Sequence, residues 1–292
     1  MNIALGIIVR VSIALVTGLL FAGIARKTLA RLERRYGPPF WQEFFDIIKL
    51  FLKRERVSNV FGLSCIIFAI ASLLAASMFI PVGNGMPFDS PACLITIYYL
   101  IMAAYLAILL GLSESNGLYS IFSNARAGIF IIGYGLVFIT IIISITVRYN
   151  SSSLIAVASG QIGGFTHWNI VTMPVGFIAS MIMLHGVLTR KPFGALIADE
   201  VSVTGFGSKT YAFVRFFYAI NIYIHTALIT VLFLGGGTGF LDFTLKQFLL
   251  FIVVVLLEPV FARYRIKRAL GIFLFMAGAL AFVQLILNLY IL

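Results

Sequence analysis

Residues 26–56 read RKTLARLERRYGPPFWQEFFDIIKLFLKRER, the one long run of this 292-residue sequence that a bilayer would not accept. Nine of these residues are Lys or Arg and four are Asp or Glu, so the run holds nearly half of the chain's 21 basic residues. On either side the composition is close to that of oil: 61% of the whole chain is hydrophobic, 11% is charged and 28 residues are Phe. A soluble domain of this length would leave large apolar patches in water. The sequence therefore predicts an all-α polytopic membrane protein, with the 26–56 run as a docking platform on the membrane surface.

Working outward, runs of roughly 20 apolar residues predict eight spans, at approximately 3–25, 60–82, 91–112, 126–148, 167–188, 210–235, 245–262 and 269–291, in one transmembrane domain over 1–292. Helix is the conformation expected for each, because a span in lipid must satisfy its own backbone hydrogen bonds. Pro81-Val82-Gly83-Asn84-Gly85, Tyr149-Asn150-Ser151-Ser152-Ser153 and Gly235-Gly236-Gly237-Thr238-Gly239 punctuate the spans as loops. The first apolar run has no basic region before it and no small-residue cleavage site after it, which predicts a retained span. No inverted repeat and no low-complexity tract is visible.

Charge sets the orientation. With the N-terminus outside, the inner loops and adjoining span ends hold 18 of the 21 basic residues, leaving Arg10, Arg148 and Lys246 on the outer side. The 26–56 platform is then cytoplasmic. The net charge of +11 belongs to these span ends, and there is no soluble basic domain to bind nucleic acid. Cys65 and Cys93 lie in apolar segments and read as small core residues, with neither metal-ligand spacing nor a disulfide framework.

The second half of the platform predicts an interfacial helix at about 40–54. From Trp41 to Lys53, Gln42, Asp46, Lys49 and Lys53 recur at spacings of four, three and four, while Trp41, Phe44, Phe45, Ile48, Phe51 and Leu52 fill the rest of the circumference. Pro38 and Pro39 stand ahead of it, where the first helical amides lack partners anyway. Two readings are open: an interfacial anchor with a solvated charged face, or a polar opening between this helix and the bundle lined by Glu43, Asp46 and Lys49.

Arg35-Tyr36-Gly37-Pro38, followed by an aromatic helix carrying Asp46, Lys49 and Lys53 as DxxKxxxK, resembles the first cytoplasmic loop of the subunit 1 family of respiratory complex I. The compact form RYGPPFWQEFFDIIKLFLKRE looks more like the branch in formate hydrogenlyase, energy-converting hydrogenases, and archaeal membrane-bound hydrogenase and sulfane sulfur reductase complexes. Three later stretches agree in order: Ser123-Asn124-Ala125-Arg126; Arg190-Lys191-Pro192-Phe193 with Gly205 beyond it; and Glu258-Pro259-Val260-Phe261-Ala262-Arg263-Tyr264-Arg265, similar to an ExxxARxR element. The resemblance implies a multi-pass subunit of a prokaryotic cell membrane, lying beneath a cytoplasmic iron–sulfur and hydrogenase-like catalytic module and beside antiporter-like membrane subunits. It implies no cofactor in this chain, which has no CxxC, and iron–sulfur clusters, with a nickel–iron centre as an option, in the partners. The docking surface would draw on Arg26, Arg31, Arg34, Arg35, Lys53, Arg126, Arg190, Lys191, Arg263 and Arg265.

The departures concern acids. Where family members usually carry a glutamate in span four this chain has Tyr134-Gly135; where they read roughly PFDxxEAE it reads PFGALIADE; and Tyr218 stands near another acid's place. A carboxylate within a membrane costs several kcal/mol unless paired or hydrated, and so marks ion or proton traffic. The chain has ten Asp and Glu. Glu43, Asp46, Lys49, Glu114, Asp199, Glu200 and Glu258 are the candidates for an ion path or coupling, whereas Asp89 and Asp242 read as outer loop residues. Glu114 also fits an ordinary loop acid, and Glu258 a structural pair with Arg263 or Arg265. His167 beside Trp168 reads as a boundary anchor; His185 and His225 read as neutral, hydrogen-bonded imidazoles in spans five and six. Arg10 and Arg215 need partners or water.

The function expected is that of a non-catalytic membrane subunit that docks a redox module and couples its chemistry to H+ or Na+ translocation. A stand-alone secondary transporter and a purely structural anchor without an ion path are the alternatives.

Overall fold

The computed structural model describes residues 3–54, 60–83, 93–114, 118–189, 191, 193 and 205–291. Among them the chain is a bundle of helices. These are α1 (Ile3–Leu32), α2 (Gln42–Leu52), α3 (Val60–Met78), α4 (Cys93–Ser113), α5 (Leu118–Tyr149), α6 (Leu154–Ser159), α7 (Asn169–Thr172), α8 (Pro174–Leu188), α9 (Ser208–Phe233), α10 (Phe240–Leu257), α11 (Ile266–Ile272) and α12 (Ala279–Ile291). A π-helical segment, Phe273–Gly278, joins the last two. Seven helical stretches are long and apolar enough to cross a membrane. The span expected at 167–188 is instead divided: Pro174 follows Met173 in a non-helical conformation, which leaves the four-residue α7 ahead of the 15-residue α8.

Helix α9 is the axis of the packing. From Ala219 to Phe233 it is buried at every position, and the polar side chains of that stretch, Asn221, His225, Thr226 and Thr230, are hydrogen-bonded inside the protein. Helices α1, α3 and α10 pack along it, and α2 crosses its basic end. The contact with α1 is backbone against backbone: a Cβ on Gly18 would lie 2.2 Å from the Ala219 carbonyl oxygen. Small residues of this kind allow close helix approach where lipid supplies no hydrophobic drive.

The α1–α2 connection lies within the charged 26–56 run. Arg34 takes a left-handed conformation (φ 58°), and Arg35 N–H donates to the Ala30 carbonyl, which stops α1. The chain then turns back through Gly37-Pro38-Pro39. It passes so close to α1 that a Cβ on Gly23 would lie 1.9 Å from the Phe40 carbonyl oxygen.

Helix α2 has three faces rather than two. Glu43 and Ile47 are buried against the bundle, with Phe44 and Phe51 packed beside Leu19 and Ala219. Gln42, Asp46, Lys49 and Lys53 form the charged stripe. Trp41, Phe45, Ile48 and Leu52, again at spacings of four, three and four, form an exposed apolar stripe. One face buried against the bundle, one charged and one apolar and exposed suit a helix lying in a membrane interface.

At the opposite end of the bundle polar groups close the helix termini. Arg10 donates to the Ile80 carbonyl at 2.6 Å, just past the end of α3. Gln161 Nε2 donates to the carbonyls of Val231 and Leu232, and Asn169 Nδ2 to that of Leu232 at 2.7 Å. These satisfy acceptors that the last turn of α9 leaves open. Lys246 pairs with Asp242 at 3.0 Å and lies 4.5 Å from the Trp168 ring.

Candidate functional site

The helices leave a cavity of about 520 Å³ at the basic end of the bundle, between α1, α2, α9 and the end of α10. Its floor is apolar, with Leu19, Ala22, Phe251 and Val255. Its upper wall is charged, with Arg26, Glu33, Arg35, Glu43, Lys191, Arg215 and Glu258. Tyr211 and Tyr218 of α9 complete the polar side.

Glu43 is the centre of this wall. Only 3% of it is exposed, and it projects from α2 towards the bundle because it sits one turn before Ile47 on the buried face. An ionised carboxylate so placed requires partners. Arg26 Nη1 of α1 donates to Glu43 Oε1 at 2.6 Å, and Arg215 Nη2 of α9 donates to Oε2 at 2.6 Å. Arg26 Nη1 also reaches Asp46 Oδ2 at 2.9 Å, and Gln42 Nε2 donates to Asp46 Oδ1 at 2.9 Å. Partial burial works against the Asp46 carboxylate, but the Arg26 and Gln42 hydrogen bonds and the nearby guanidinium charges outweigh it and hold the group below the ordinary aspartate range. Three helices thus meet in one two-arginine, two-carboxylate network. An open apolar floor under fixed charges can hold an amphiphile or ordered water, or transmit a change in charge from above.

The other candidates fall into place around it. Lys49 and Lys53 are exposed on α2's outer stripe and do not line the cavity, lying about 120° and about 80° round the helix from Glu43. Arg31 lies 5.7 Å from the Tyr36 ring, and Arg35 pairs with Glu33. Arg126 ties segments together: its Nη2 donates to the carbonyls of Phe193 at 3.0 Å and Tyr264 at 3.3 Å. Glu114 follows the last residue of α4 and lies beside Gly62, away from the cavity lining. Glu258 is buried in a single 3-10 turn directly after α10, and Arg263 and Arg265 are exposed beyond it. Asp89, Arg190, Asp199 and Glu200 lie outside the described residues. Among the described residues no group of His, Cys, Asp or Glu has metal-ligating geometry, and neither Cys65 nor Cys93 is in a disulfide.

Sequence reading missed the Arg215 to Glu43 pairing, which joins residues 172 positions apart. The need of Arg215 for a partner was legible; the identity of that partner was not. It also missed a second polar cluster in the middle of the bundle. There Tyr105, Tyr134, Asn221 and His225 share hydrogen bonds.

A many-span helical membrane protein with one charged, cavity-bearing end is the class that this fold and site define. A family model described as NADH dehydrogenase matches residues 5–289, and the chain belongs to that family. The H subunit of NADH-quinone oxidoreductase from Campylobacter jejuni subsp. doylei is 31% identical, over 75% of this chain and 74% of its own. The protein of that name from Helicobacter acinonychis is 29% identical, over 73% and 72%. Among solved structures, a chain of the archaeal membrane-bound sulfane sulfur reductase, a respiratory membrane complex, superposes with a TM-score of 0.89 at 24% identity, covering 99% of this chain and 100% of that one.

Proposed function

We propose that this protein is the membrane subunit of a respiratory complex of a prokaryotic cell membrane, N-terminus outside. On this reading its basic end docks a cytoplasmic module, and it couples redox chemistry there to movement of H+ or Na+. The single observation that carries the proposal is the network of Arg26, Glu43, Asp46 and Arg215 over an apolar-floored cavity: a charge change above α2 reaches three helices through one carboxylate. The partners are a cytoplasmic iron–sulfur subunit, a hydrogenase-like large subunit and antiporter-like membrane subunits, with lipid against the apolar stripe of α2. The clusters belong to the partners, and a nickel–iron centre belongs there if the terminal chemistry is hydrogen evolution. The compact α1–α2 loop and the fold of the sulfane sulfur reductase chain support the hydrogenase-type branch.

Purification from native membranes in mild detergent tests this. Iron–sulfur and antiporter-like subunits should co-purify, and Asp46→Asn together with Lys49→Ala should impair assembly or redox-driven ion uptake in vesicles. Isolation of the chain alone, with solute transport in liposomes, would establish the stand-alone transporter instead. Normal ion uptake with Glu258→Gln would favour a structural anchor.

A further inference from the structure

His225 sits on α9 in the middle of the bundle, 1% exposed, and belongs to no part of the cavity wall. Its Nδ1 lies 2.9 Å from the Asn221 carbonyl oxygen, which can only accept, so Nδ1 carries a hydrogen. In the neutral ring Nε2 is therefore an acceptor. Two phenols face it from other helices, Tyr134 of α5 at 2.8 Å and Tyr105 of α4 at 3.1 Å, and both are fully buried. The Tyr105 hydroxyl proton is already directed to Asn221 Oδ1 at 2.8 Å. Tyr134 thus supplies the one hydrogen that the neutral Nε2 can use, while the Tyr105 oxygen faces the same nitrogen without a hydrogen between them. A proton on Nε2 would satisfy Tyr105, and Tyr134 can rotate its hydroxyl to accept as well.

We propose that His225 is a proton-exchange site, taking one proton on Nε2 between Tyr105 and Tyr134 and returning it by the same nitrogen. The Nδ1 side ends on a backbone carbonyl, so the site is a station and not a through-wire. No other bond changes: one proton enters from water on the cavity side, and one leaves. The approach is along α9. Tyr218, which lines the cavity, is two turns from His225 on the same face, about 10 Å along the axis, and Asn221 stands between them. The titratable groups facing the ring are Tyr105 and Tyr134. Of the other helices packed on α9, α3 carries no charged residue; Arg10 of α1 is on the Ile80 carbonyl, Arg26 of α1 is on Glu43 and Asp46 of α2, Lys246 of α10 is on Asp242, and His185 of α8 lies beside Phe193 and Phe261. With no carboxylate in the hydrogen-bonded set, the imidazolium is costly and therefore short-lived. That suits a station filled and emptied in each cycle.

The coupling role given to the site rests on the function proposed above; its protonation does not. Infrared difference spectra of the purified native complex, with 15N-labelled histidine, read the ring directly. The expected result is an imidazolium band that appears on reduction, disappears on reoxidation and is absent from His225→Gln. Persistence of the neutral ring across redox cycling and from about pH 5 to 9 would overturn the proposal, whatever the variants do. In vesicles, His225→Gln and Tyr134→Phe should lower ions moved per electron by at least half, leaving electron transfer in leaky vesicles unchanged. An unchanged ratio in assembled variants would also overturn it. If wild-type vesicles move no ions, the coupling function itself fails, and the infrared result still decides the proton site.

Discussion

Arg215 and Glu43 meet at 2.6 Å although 172 residues separate them. The contact fastens the interfacial helix α2 to the enclosed helix α9, and Arg26 fastens the same carboxylate to α1. Removing Arg215 leaves a buried carboxylate with one partner, itself partly exposed. Arg215→Met should cost about 3 kcal/mol, the size expected when one member of a buried ion pair is deleted. Adding Glu43→Gln to it should recover part of that loss. Unfolding in mixed micelles measures both; equal stability of the single and double variants would mean that Glu43 is not burdened by its burial.

Asp46 supplies a pH dependence of known sign. Its folded-state pKa lies below the ordinary 3.8, so the stability it contributes is fully present above about 4 and is lost as pH falls through the folded value. Attachment of α2, followed through Trp41 fluorescence in a Trp168→Phe background, should be flat from about pH 5 to 8 and loosen only in acid. Asp46→Asn should remove the acid-dependent part.

Gly18 is tested by contrast with Gly271. A Cβ at Gly18 would penetrate the Ala219 carbonyl, whereas one at Gly271 in α11 would meet nothing within 4 Å. Gly18→Val should abolish the folded protein in membranes. Gly271→Ala should stabilise it by up to about 1 kcal/mol through helix propensity. Comparable thermal stability of the two variants would contradict the close α1–α9 crossing.

Arg126 should behave as a strut. Both of its bonds leave a single nitrogen, Nη2, so Arg126→Met, which keeps an unbranched stem and removes the donor, should free the Tyr264 segment. Trypsin should then cut after Arg265 several-fold faster in detergent. An unchanged rate would place Arg126 with the docking residues alone.

Much of this was legible in the primary structure. The apolar runs mark the bundle, the break at 26–56 marks its charged end, and the spacing of Asp46, Lys49 and Lys53 marks α2. Periodicity alone could not assign the three faces of α2: Glu43 lies on its bundle-facing side among apolar residues, and only the position of Arg215 explains a carboxylate there. The division at Pro174 was in view, but an apolar stretch long enough to span conceals a short break. Tyr105, Tyr134 and His225 come from three distant segments, and no local pattern brings them together.

The enclosed helix α9 also constrains how the protein is made. Its mean hydropathy of 1.7 is the lowest of the seven candidate spans, the rest lying between 2.2 and 2.5, because it carries Tyr218, Asn221, Tyr223 and His225. As it leaves the ribosome alone, α9 is the segment least inclined to partition into lipid. Arg215, Asn221 and His225 find their partners on α2, α4 and α5, all synthesised earlier. Biogenesis therefore has an order written into it: the first helices must wait in the membrane as a receptacle, and α9 enters protein rather than lipid.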